Sequence, residues 1–173
     1  MNRLAAGLVV AAVQVGLVAS LGAKLLFDRA ALPRVWVRAI AFDPDSPLRG
    51  RYVSLQIVVQ PRATSADPSP PGLSRPAKLR VEGGTLVAVS DPDASGSDPG
   101  DVHLRGISRG TETLTVLAEP VAYFIPEHVA DPSRRPPGEQ LWVEATIPAS
   151  GPPRPLRLGV KTGDGPIVPL QLD

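Results

Sequence analysis

The chain of 173 residues contains no cysteine. That excludes disulfides, thiolate zinc sites and thiol nucleophiles together. Histidine is nearly missing too. With only His103 and His128, a metal centre would have to gather carboxylates from scattered loops, and no spacing supports one. Charge of one sign is also lacking: 18 Lys and Arg stand against 17 Asp and Glu, for a net +1. No basic stripe with interleaved aromatics is present, so no nucleic-acid partner is expected. Gly83-Gly84 has neither a lysine nor a helix start after it, which removes a phosphate cradle. Ser54, His103 and a loop aspartate form a triad only on paper, because no nucleophile elbow accompanies them. No metal and no cofactor are expected.

Proline and glycine are plentiful instead, at 21 and 16 residues. That composition suits short strands joined by stiff loops better than a helical bundle. One long apolar run opens the chain. After Met1-Asn2-Arg3, Leu4 to Ala23 carry no charge and are interrupted only by Gln14, Ser20 and small glycines. About twenty residues at roughly 1.5 Å rise match a bilayer core of about 30 Å. The run exceeds the usual apolar region of a cleaved signal, although Val18-Ala19-Ser20 or Ser20-Leu21-Gly22 could serve as cleavage sites. It is apolar all round instead of striped, unlike the helix of a soluble core.

Orientation has two opposed indicators. Arg3 and the amino terminus face Lys24, Arg29, Arg34 and Arg38, partly offset by Asp28, and a literal positive-inside count leaves the main domain in the cytoplasm. A very short basic tail before a first hydrophobic helix, however, has the form of an export signal. The expectation is an anchor over residues 1–33 and an extracytoplasmic domain over residues 34–173.

From Arg34 to Phe42 the chain reads as a strand, and Val53, Leu55, Ile57 and Val59 then alternate with polar residues as a second. Pro61 to Pro76 and Asp91 to Asp101 read as loops. Lys78–Glu82 and Thr85–Val89 flank Gly83-Gly84, the spacing of a hairpin with a primed turn. Val102–Arg105 and Glu112–Ala118 read as strands around a loop at Ile107–Gly110. Pro120–Ile125 reads as a short strand. Gln140–Ile147 places Leu141, Val143, Ala145 and Ile147 on one side, with Trp142, Glu144 and Thr146 on the other. Leu156–Val160 and Ile167–Leu172 close the chain around a turn. The fold class is therefore all-β, an antiparallel sandwich or open barrel of about eight or nine short strands after one transmembrane helix.

Two stretches concentrate polar function. The first is the turn Phe42-Asp43-Pro44-Asp45-Ser46-Pro47-Leu48-Arg49-Gly50-Arg51-Tyr52. Its prolines fix φ, its aspartates can cap backbone amides, and Gly50 can take a positive φ at the bend. Asp43, Arg49 and Tyr52 either staple the turn or present a rigid recognition surface. The second stretch is Tyr123-Phe124-Ile125-Pro126-Glu127-His128, where a carboxylate and an imidazole follow a proline stop. Adjacent residues on an extended chain point apart, so Glu127 and His128 cooperate only if Pro126 turns them. Trp36 and Trp142, the two tryptophans, sit in strands and are expected in the core; a glycan-binding role would need them exposed.

The run Gly50-Arg51-Tyr52-Val53-Ser54-Leu55-Gln56-Ile57 after the DP…PLRG turn resembles the signature of the GDYXXLXY family of bacterial membrane-anchored proteins. Gly50, Tyr52 and Leu55 match, whereas Arg51 replaces the acidic residue and Ile57 the second tyrosine. Phe124, Pro126 and Glu127 are similar to the family's aromatic-x-Pro-Glu element. The resemblance implies an anchored extracytoplasmic domain at the inner membrane, beside a polytopic membrane protein. It names Asp43, Arg49, Gly50, Tyr52, Leu55, Phe124, Pro126 and Glu127 as candidate binding residues. The function expected is that of a non-enzymatic accessory component of a membrane protein complex. The alternative is an envelope hydrolase or ligand-binding protein with a site between the DP…PLRG turn and the Pro-Glu segment.

Overall fold

The computed structural model describes residues 3–42, 52–62, 74–90 and 101–172. The chain divides into two compact units, Met1–Leu32 and Pro33–Asp173. The first is a single helix, α1 (Arg3–Ala31). Its window Ala5–Asp28 is long and apolar enough to cross a membrane, and none of that window is buried within the protein. This is the form of a single-pass anchor or a signal sequence. The last turn is closed by the Leu32 amide donating to the Asp28 carbonyl at 3.0 Å. Pro33 follows and cannot continue the helix.

The second unit is all-β, with strands β1 (Arg34–Ala41), β2 (Tyr52–Ile57), β3 (Gln60–Pro61), β4 (Ser74–Glu82), β5 (Thr85–Ser90), β6 (Val102–Arg109), β7 (Glu112–Leu117), β8 (Val121–Phe124), β9 (Glu139–Thr146), β10 (Arg154–Thr162) and β11 (Val168–Pro169). One sheet runs β11-β10-β9-β1-β2-β8 and the other β3-β5-β4-β6-β7. Every pairing is antiparallel except β3 with β5. The strand alternation explains how the sheets meet. Val35, Val37, Val53, Leu55, Ile57, Val143 and Leu158 of the first sheet share one buried cluster with Ala77, Leu86, Ala88, Leu104 and Leu117 of the second. Enclosing a side chain such as Leu55 or Leu158 contributes about 1.5–3 kcal/mol.

The segment 58–62 ties the sheets together. Val58 donates to the Arg38 carbonyl at 2.9 Å, Val59 to the Thr115 carbonyl at 3.0 Å and Arg62 to the Ala88 carbonyl at 3.1 Å. A chain leaving β2 therefore bonds to both β7 and β5, so the second sheet curls toward closure. The two alternatives read from the pattern, sandwich and open barrel, meet in this one corner.

Two segments read as loops are strand. Ile107–Arg109 belong to β6, because the reversal is a two-residue turn at Gly110-Thr111 between Arg109 and Glu112. Among the described residues, Ser74–Pro76 open β4 and pair with β6, while pairing with β5 begins at Ala77. The final strand is shorter than expected, Val168–Pro169. The Gly83-Gly84 hairpin forms as expected, with φ of 57° and 79° at its two glycines, the left-handed pair that a primed turn requires.

Candidate functional site

The two motif stretches meet. Tyr52 opens β2, Phe124 closes β8, and they are direct cross-strand partners. Alternation sends Val53 inward to the core, packs Tyr123 against it, and leaves Tyr52 and Phe124 on the outer face. Their rings stand edge-to-face, with centroids 6.3 Å apart and planes at 63°. Such a pair adds about 0.5–1.5 kcal/mol beyond its buried area. Both rings remain open to solvent, Tyr52 at 40% and Phe124 at 76%. Among the described residues of the β domain, Phe124 is the most exposed large hydrophobic side chain. It also stands, among the described residues, on the last strand of its sheet.

The other candidates separate. Leu55 is fully enclosed in the core, so it acts by packing and is withdrawn from any binding surface. Pro126 does turn the chain, its carbonyl accepting from the Val129 amide at 3.2 Å. Glu127 and His128 are carried on that turn, both exposed. Asp43, Arg49 and Gly50 lie outside the described residues.

A second site gathers around the tryptophans. Trp36 and Trp142, expected in the core, lie on the outer face of the first sheet, and both line a groove of about 620 Å³. Trp36 sits opposite Glu144, and Trp142 is flanked by Arg38 on β1 and Gly159 on β10. Trp36 leans across β9 onto Gly159, where a Cβ would meet the indole Cζ3 at 2.9 Å and Ile167 Cγ2 at 2.9 Å. Gly159 is there because the indole occupies the space of a side chain. A cation covers each indole: the Arg157 guanidinium is 5.4 Å from the Trp36 centroid and Lys161 Nζ 5.6 Å from that of Trp142. Arg157 is held in turn by Glu144.

Across the groove, Arg38 donates from Nη1 to Glu112 Oε1 at 3.0 Å and from Nη2 to Oε2 at 3.3 Å. This paired fork joins β1 to β7 and leaves no net charge between its members. Gln60, Thr85, Thr113 and Thr115 add neutral polar groups to an otherwise apolar lining. The Trp142 indole nitrogen is buried with no hydrogen-bond partner among the described residues. Arg38 also borders a smaller depression of about 380 Å³ with Arg109 and Arg135, where Arg135 pairs with Glu139 at 3.6 Å.

The groove was legible in the alternation, since Trp142 and Glu144 share the phase opposite to Leu141 and Val143. Hydrophobicity argued for the core and phase argued against it. Phase decided. Among the described residues no three His, Asp or Glu side chains gather in a metal-binding cluster. No protein-family model, curated protein or solved structure matches this chain.

Proposed function

We propose that the protein is a membrane-anchored adaptor of the inner membrane whose extracytoplasmic β domain binds a polytopic membrane protein through the Tyr52–Phe124 corner. The observation that carries this reading is the exposure of that aromatic pair across the last two strands of the first sheet, β2 and β8, where the two motif stretches meet. The two rings form one contiguous aromatic patch, and aromatic residues are the common anchors of protein interfaces. The unburied apolar helix supports tethering in the bilayer. A hydrolytic site beside Pro126 would need Glu127 withdrawn from water, and it is exposed on its turn.

Purification from native membranes tests the reading. The intact chain is expected to bring down a polytopic membrane protein, and Phe124→Ala, Tyr52→Ala and Arg49→Ala to lose it. A chain that leaves native membranes alone overturns the adaptor. The cysteine-free sequence also makes orientation directly measurable. A single Ser150→Cys chain should react with an impermeant maleimide in intact cells whose outer membrane has been permeabilised; labelling only after lysis of the inner membrane reverses the orientation.

A further inference from the structure

We infer that the groove bounded by Trp36 and Trp142 is a binding site for a neutral carbohydrate chain. Its size, about 620 Å³, falls in the range of about 300–1,000 Å³ typical of ligand pockets. The chemistry of its lining selects the ligand class. A sugar ring offers aliphatic C–H groups on its faces and hydroxyls around its rim, and the groove offers the complement. Each indole already has a cation over it, so the C–H faces of a sugar would meet the parts of the rings that line the groove. The Arg38–Glu112 fork presents donors and acceptors side by side, which suits neighbouring hydroxyls. Thr85, Thr113 and Gln60 extend that rim.

Other ligand classes fit less well. Arg38, the cation of the lining, is paired with Glu112, so an anionic headgroup would have to draw on Lys161, which already sits over the Trp142 ring outside the lining. An acyl chain would strip water from the threonines, Gln60 and the ion pair and return no hydrogen bonds. The unpaired Trp142 N–H is the lining's only buried side-chain polar atom without a partner among the described residues. An acceptor oxygen entering beside it relieves that deficit. The surroundings are built to hold the indoles still: Gly159 seats Trp36, and Arg157 and Lys161 cover the rings. Rings fixed before a ligand arrives lose little entropy on binding.

The chain supplies its own reporter, since both of its tryptophans line the groove. The full chain in phospholipid nanodiscs, free of sugar-headgroup detergent, is titrated with chitotetraose, cellotetraose and maltotetraose while indole emission is followed. At least one oligosaccharide is expected to give a saturable shift. By calorimetry, Glu112→Gln and Trp142→Phe should each weaken that binding by about tenfold, the loss of one good polar contact. Tyr52→Ala should leave it unchanged, which separates this site from the adaptor corner. Trp142→Phe keeps an aromatic ring and Glu112 is exposed, so neither change threatens the fold. No saturable response to any of the three sugars overturns the inference. So does binding indifferent to both variants, or a response to laurate or a neutral peptide with none to the sugars.

Discussion

Tyr52 and Phe124 meet bare at a sheet edge, whereas Trp36 and Trp142 lie half-buried in a groove with cations over their rings and a glycine cut to receive one of them. Both pairs are aromatic and both stand outside the main core. The difference lies in what surrounds them. Around the tryptophans, neighbouring strands supply Glu144, Arg157, Arg38 and Glu112 as fixed partners, so the rings are held before anything binds. Among the described residues nothing comparable is built around Phe124, which stands 76% exposed; the proposed partner would supply the enclosing environment. A preorganised groove suits a small polar ligand; an uncovered edge suits a protein.

Substitutions can break or sharpen this contrast. The largest effect belongs to the core beneath the first sheet. Leu158 is fully enclosed behind the Trp groove, and Leu158→Ala should cost about 2–5 kcal/mol by urea unfolding. Gly159→Ala comes next. Its new methyl meets Trp36 and Ile167, so a loss of about 1–3 kcal/mol is expected together with a shifted indole emission, as overpacking displaces the ring. A neutral result would mean that Trp36 is not seated on the strand.

Arg38→Ala removes the fork between the two sheets. Because Glu112 is more than half exposed, the loss should stay within about 1 kcal/mol and shrink in high salt. Phe124→Ala should be the mildest of all, about 0.5 kcal/mol, the low end of what the edge-to-face pair contributes, because the side chain is already largely in water. Its partner capture should nevertheless disappear. An edge whose removal costs stability but not binding would invert the contrast.

Much of the fold was readable from phase and punctuation. Val53, Leu55 and Ile57 set β2, Gly83-Gly84 set the β4–β5 hairpin, and the unbroken run after Arg3 set the helix. What escaped were tertiary facts. Pro76 read as a loop because proline cannot donate to a ladder, yet it lies in register opposite His103 of β6, and local sequence does not say which strand stands opposite. The meeting of Tyr52 with Phe124 rests on a pairing between segments about seventy residues apart, a register that neither segment encodes alone. Trp36 and Trp142 were misplaced because their bulk was weighed above their phase. Leu55 carried a motif position and proved to be core, which shows that a signature records packing as readily as contact.

The most direct measurement places a photo-activatable amino acid at position 124 in the intact chain and irradiates living cells. The account predicts an adduct with a polytopic membrane protein, and none from the same residue placed at position 157 on the groove side. Position 124 yielding no adduct, or position 157 capturing the same protein, would contradict it.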